Sequence, residues 1–341
     1  MASAAQVNWS LISVARFFLA FVVVNHHIGF FHPSHFSSAV AMFGGKAAVV
    51  GFLVISGYSV SASFDKAPHG FLFRRFLRIY PAYFFAILAA VLLQTVVGHY
   101  SIPGMDFSPS GPGTILGNLL MLQCYVVRRI DFDPVVWSLS IEFSYYILTP
   151  YLSRLPGWVR VATLLGSGAF FLLPLGLSHG GFYQALMKLN MVRCLWPFLV
   201  GALLQRHSDK HWFLLAASLG TLMIFVSDWT PEILSPASYF IAIVAIYFAS
   251  RNFGRQMPAL DYLGDVSYPL YLVHLPLMIA FAALAGITNP WVLTAASLAA
   301  AVVVMTTIEI PFRAQLAKLG SLRILSERTS LNAEQQLKAP S

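Results

Sequence analysis

Charge is what this chain has least of. Asp, Glu, Lys and Arg make up 10% of its 341 residues, while 58% are hydrophobic. A soluble domain carries about 25% charged residues, so a soluble globule is excluded. By count, cysteine is scarcer still, with only Cys124 and Cys194. One sits beside a loop and the other inside an apolar run, which argues against a disulfide framework or a thiolate metal site. The first ten residues hold no Lys or Arg, and no small-residue cleavage site follows the first apolar run. A removable signal peptide is therefore not expected. No repeat unit, inverted transporter halves or appended soluble domain is evident.

What the chain does have is long apolar runs. They predict an all-α polytopic membrane protein with about ten transmembrane helices, near 9–31, 43–63, 79–99, 135–153, 158–178, 186–205, 212–228, 236–250, 262–285 and 290–312. With an even number of spans both termini share a side, so the loop charges can be compared. One set of loops holds 15 Lys and Arg, including Lys66, Arg154, Arg206, Arg251 and Arg313. The opposite set and its flanks hold 5: Lys46, Arg128, Arg129, Lys188 and Arg193. The positive-inside rule then predicts cytoplasmic termini. The formal charge of +8 is a topology signal, and no nucleic acid partner is expected. The long connection 100–134, rich in Gly, Pro and Ser, is placed outside, with a short interfacial helix over 115–125. Residues 1–313 read as one membrane domain and 314–341 as a basic cytoplasmic tail.

Within the first apolar run, Arg16 and His27 are eleven residues apart. At about 100° per residue that closes to within about 20° of three full turns, so both lie on one helix face, about 16 Å apart along the axis. A charge at mid-membrane costs on the order of 2.5–3.5 kcal/mol even on the lenient insertion scale. Keeping a guanidinium and an imidazole aligned points to a polar pathway. His26 lies about 80° off that face.

Other polar residues repeat the theme. Arg74, Arg75 and Arg78 open the third span, spaced to crowd one helical face. Guanidinium groups grip phosphates bidentately and would suit a nucleotide-bearing ligand; a stop-transfer cluster is the simpler alternative. Trp137-Ser138-Leu139-Ser140-Ile141-Glu142 sets a carboxylate two turns into the fourth span, where it must pair, be protonated or line a wet cavity. Ser267-Tyr268 to Tyr271 and His274 put another imidazole near the middle of the ninth span. Glu309 lies near the boundary of the last span, within reach of water. Ser56-Gly57-Tyr58 reads as a close helix contact. His32 and His35 form a His-x-x-His pair without a third ligand nearby, and no metal is expected.

In this order the motifs resemble the acyltransferase-3 family of integral-membrane O-acyltransferases, in the short form without a fused C-terminal hydrolase-like domain. The likeness runs from Arg16 and His27 through Ser56-Gly57-Tyr58, Arg75-x-x-Arg78 with Ile79-x-Pro81, and Trp137 to Glu142, to Ser267 through Pro276. The doubled His26-His27 and the late Glu309-Ile310-Pro311 depart from the pattern. The resemblance implies transfer of an acyl group, most often acetyl, from cytoplasmic acyl-CoA to a hydroxyl of a carbohydrate or lipid-linked glycan on the outer side. The expected location is a bacterial inner (cytoplasmic) membrane. No cofactor is bound; acetyl-CoA is a substrate. The implied catalytic group is His27 with Arg16 and a supporting Glu142. Arg75, Arg78 and Arg74 take the donor, and Ser56, Tyr58, Trp137, Ser138, Tyr268, Tyr271 and His274 are further polar lining. An imidazole of reference pKa ~6.5 can take a proton from an attacking hydroxyl, and an acyl-imidazole intermediate is the competing route. A proton-coupled secondary transporter is the rival from another class, since intramembrane His, Arg and Glu mark such pathways too.

Overall fold

The computed structural model describes residues 7–173 and 189–315. Its elements are helical apart from one hairpin. They run α1 (Trp9–Phe31), α2 (His35–Ala41), α3 (Gly45–Lys66), α4 (Phe71–Val97), β1 (Tyr100–Ile102), β2 (Met105–Phe107), α5 (Pro112–Leu119), α6 (Trp137–Arg154) and α7 (Gly157–Leu172). After residue 188 come α8 (Asn190–Arg193), α9 (Leu195–Arg206), α10 (Lys210–Phe225), α11 (Ser235–Ser250), α12 (Pro258–Ala285) and α13 (Pro290–Val304).

Five helices among the described residues are long and apolar enough to cross a membrane: α1, α3, α4, α12 and the Pro290–Gln315 run that begins with α13. Helices α7, α10 and α11 are apolar but have only 16 residues each, about 24 Å of helix against a ~30 Å core. Helix α9 has 12. Against the expectation of about ten spans, five helices among the described residues are of sufficient length, with shorter apolar helices packed beside them. The predicted sixth span, 186–205, lies partly outside the described residues, as do the end of the fifth (174–178) and the tail beyond 315.

Helices α1, α3 and α12 form the centre. Helix α12 packs along α1, α9 and α11 flank α3, and α13 backs α12. The contact between α3 and α9 is backbone on backbone. A Cβ on Gly57 would meet the Phe198 carbonyl oxygen at 1.9 Å, and one on Gly201 would meet that of Val54 at 1.9 Å. Small residues let membrane helices approach this closely, as expected of Ser56-Gly57-Tyr58.

Four local departures matter. Helix α4 starts at Phe71, after the left-handed Gly70 (φ 66°), so Arg74, Arg75 and Arg78 lie inside a helix rather than just ahead of a span beginning at 79. A short helix forms over Pro112–Leu119, where an interfacial one is expected over 115–125. The sequence reading also missed the antiparallel hairpin pairing Tyr100 with Phe107, whose turn residue Gly104 faces the Phe30 ring of α1. At the other end of the chain, Met305–Glu309 forms a π-helical turn. Glu309 does not reach water. It is 3% exposed, and Arg313 donates to its Oε2 at 2.6 Å and to Asp265 Oδ1 at 2.8 Å.

Candidate active site

Two cavities abut in the centre of the bundle. The first, a chamber of about 770 Å³, is walled by α1, α3, α4, α6 and α12. Arg16, Arg75, Arg78 and Glu142 line it, together with Ser56, Ser59, Ser138, Tyr146, Ser267, Tyr268 and Tyr271. Helical periodicity explains the convergence. On α3 the lining positions Val49, Phe52, Ser56 and Ser59 recur at three or four residues, and on α12 Tyr268 and Tyr271 are three apart.

Glu142 is tightly held, its Oε1 accepting from Ser56 Oγ at 2.6 Å and from Tyr146 Oη at 2.6 Å. Arg75 is buried, donates to the Ser59 carbonyl at 3.2 Å, and lies 5.7 Å over each of the Phe71 and Tyr146 rings. Among the described residues, Arg16 and Arg78 form no hydrogen bond or ion pair. Three guanidinium groups therefore face a single carboxylate, a surplus of positive charge suited to an anion with several oxygen acceptors.

The second cavity, about 1060 Å³, is lined by His26, His27 and Phe30 of α1, Lys46 of α3, residues 104–107 of the hairpin, Arg129, Asp131, Pro134 and Trp137. Backbone carbonyls fix both central imidazoles. His27 Nδ1 lies 2.9 Å from the Val23 oxygen, and His274 Nδ1 lies 3.0 Å from that of Leu270. A carbonyl can only accept, so each Nδ1 carries the proton in the neutral ring. His274 Nε2 is then a bare acceptor, 3.1 Å from His27 Nδ1. This shared N–H leaves His27 Nε2 as the lone-pair nitrogen.

Arg16 and His27, aligned on one helix face, thus open into different cavities. The expected lining residues divide as well. Ser56, Ser138, Tyr268 and Tyr271 reach the chamber, and Trp137 reaches the His27 cavity. Buried His274 stands behind His27. Tyr58 lines neither cavity and packs instead against Trp9, with ring centres 6.2 Å apart. Arg74 is exposed and turned away, donating to the His69 and Ala67 carbonyls that precede α4. His26 does share the cavity of His27, with its Nδ1 4.0 Å from Glu232 Oε1. The sequence reading passed over Tyr146, one turn beyond Glu142 and hence legible on the same face. It also passed over Val49 and Lys46, for which no pattern gave a signal.

The loop before α6 adds a half-buried thiol and a buried carboxyl. Burial pushes the Cys124 thiol up to about 11, which leaves it unreactive. Asp133 is fully buried, and neither carboxyl oxygen has a partner among the described residues. Burial holds its carboxyl well above the usual range.

A family model described as an acyltransferase domain matches residues 10–310. Nodulation protein 10 of Rhizobium leguminosarum bv. viciae is 24% identical over 283 residues, covering 70% of this chain and 74% of that protein. No solved structure matches.

Proposed function

The chain belongs to the acyltransferase-3 family and is an integral-membrane acyltransferase, and from that premise we propose that it moves an acetyl group from cytoplasmic acetyl-CoA to a hydroxyl of a carbohydrate or lipid-linked glycan at the outer face. The observation that carries this reading is the pair of abutting cavities, one rich in guanidinium and the other holding an imidazole with a free nitrogen. A donor with several phosphates suits Arg75 and Arg78, and its thin pantetheine arm would run along the chamber between α3, α6 and α12. Arg16, which lines the same chamber and is unpaired among the described residues, lies along the route of the arm. The acceptor enters the other cavity, where Phe30, Phe107 and Trp137 offer ring faces and Lys46, Arg129 and Asp131 offer polar contacts.

The chemistry then follows from the His27 tautomer. The acceptor oxygen attacks the thioester carbonyl while its proton passes to His27 Nε2. The positive charge on the ring is shared through Nδ1–H with the Val23 oxygen and His274 Nε2. The tetrahedral adduct collapses, the carbon–sulfur bond breaks, and the leaving thiolate takes the proton back from His27. Glu142, fixed by Ser56 and Tyr146, supplies the negative charge that keeps three arginines together. The charge asymmetry of the loops supports cytoplasmic termini, with the donor chamber opening on the α4 start and the hairpin facing outward.

The test is incorporation of labelled acetyl from acetyl-CoA into membrane glycans by cells or proteoliposomes carrying the protein. Label in glycan that disappears in the His27→Ala variant supports the reading. Solute flux without a donor and without glycan labelling would overturn it.

A further inference from the structure

Two residues, Val49 and Tyr271, line both cavities. Everything else belongs to one side or the other. Ser138, for example, faces the chamber, while its neighbour Trp137 faces the His27 cavity. If the donor occupies the chamber and the acceptor the second cavity, as proposed above, the acyl carbon has to meet the hydroxyl at the boundary these two side chains form.

That boundary is built to stay narrow. The Tyr271 hydroxyl donates to the Val135 carbonyl at 3.0 Å and pairs with Ser138 Oγ at 2.7 Å. Its ring rests edge-on against Phe52, with centres 5.9 Å apart. Swinging it aside would leave the buried Val135 carbonyl and Ser138 hydroxyl without this partner. Val49, β-branched and stiff about χ1, sits on a helix that cannot retreat. Gly51 on the same helix lies against Leu19 and the Ser238 carbonyl, and Gly57 lies against the Phe198 carbonyl. An aperture fixed on both sides discriminates by size, because each added methylene must displace packed atoms.

We infer that Val49 and Tyr271 form an acyl-chain gate that admits acetyl to His27 and excludes longer chains, making them the specificity-determining residues of the reaction. The inference rests on the assignment of the two cavities to donor and acceptor. Discrimination by one methylene in a packed apolar site runs at about 10–200-fold.

The experiment compares kcat/KM for acetyl-, propionyl- and butyryl-CoA in wild type, Val49→Ala, Val49→Leu and Tyr271→Phe, with the acceptor held constant. Reading the butyryl-to-acetyl ratio cancels any general loss of activity. Val49→Ala is expected to raise that ratio at least 10-fold, and Val49→Leu to lower it. Tyr271→Phe, freed from its two hydrogen bonds, should raise it by a smaller factor. A ratio unchanged in both Val49 variants, in an enzyme that transfers acyl groups, would overturn the gate and leave the proposed function standing. Wild type that transfers from no acyl-CoA would instead overturn the cavity assignment, and the gate with it.

Discussion

His274 offers the sharpest test of the mechanism because it touches the reaction only through His27. Its Nε2 accepts from His27 Nδ1 at 3.1 Å, while Val23 O accepts from the same N–H at 2.9 Å. Removing His274 therefore leaves the tautomer of His27 intact but strips one of two acceptors from the imidazolium that forms during transfer. A hydrogen bond to a charged group is worth about 1.5–3 kcal/mol, so His274→Ala should lower kcat by about 10- to 150-fold. Loss of the general base in His27→Ala should cost about 10²–10⁴-fold. The decisive measurement is the double variant. If His274 acts through His27 alone, His27→Ala/His274→Ala is no slower than His27→Ala. Acetyl transfer from labelled acetyl-CoA, with folding checked by thermal melting in detergent, reads all three. A His274→Ala enzyme of wild-type kcat, or losses that multiply in the double variant, would refute the reasoning.

Four further outcomes follow. Replacing Arg75 or Arg78 by Lys keeps the charge but loses the planar fork, and should raise the acetyl-CoA KM by about 10-fold with kcat little changed; steady-state kinetics on membranes checks it. Gly57→Ala and Gly201→Ala each force a methyl onto a carbonyl oxygen and should destabilise the protein by about 1–3 kcal/mol or more, measured by thermal unfolding. Asp133 has an ordinary value near 3.8 that burial raises in the folded protein, so its favourable share of stability is complete below about pH 4 and fades as pH rises through the raised value. Asp133→Asn should therefore gain on wild type with rising pH, by about 1–3 kcal/mol at pH 8, and a difference constant from pH 4.5 to 8 in thermal melts would contradict this. Lastly, an impermeant thiol reagent should label Gly111→Cys but not Ser208→Cys in intact cells, and the reverse pattern would invert the proposed orientation.

Much of the chamber was legible because helical periodicity converts spacing into geometry. Arg75 and Arg78, Ser138 and Glu142, and Tyr268 and Tyr271 each lie one turn apart, and all six reach the chamber. The family resemblance, carried by those residues in order, agrees with the match over residues 10–310. What spacing along one helix cannot reveal is a wall contributed by another. Arg16 and His27 do share a face of α1, yet Val49 from α3 and Tyr271 from α12 stand between their cavities. The number of spans was not legible for a related reason. Apolar content marks a buried helix and a lipid-crossing one alike, so α9, α10 and α11 satisfied the pattern with 12, 16 and 16 residues. Arg74 shows a third limit. Its spacing allowed it to join Arg75 and Arg78, but the carbonyls of His69 and Ala67 at the helix start draw it outward.

The reciprocal glycines of α3 and α9 act as a mechanical key. With Gly57 seated on the Phe198 carbonyl and Gly201 on that of Val54, sliding one helix past the other by a single residue would bring a side chain onto a peptide oxygen. The two helices therefore move as one body, carrying the Val49, Phe52, Ser56 and Ser59 wall of the chamber with them. On the proposed donor assignment, the widening that admits a bulky nucleotide falls to α4, which bears Arg75 and Arg78, packs on α12 and α6, and meets α3 at its first turns through Arg75 on the Ser59 carbonyl and Phe71 against Phe64. If the chamber takes the donor as proposed, turnover is geared to α4, while the α3 wall facing the acyl group stays still.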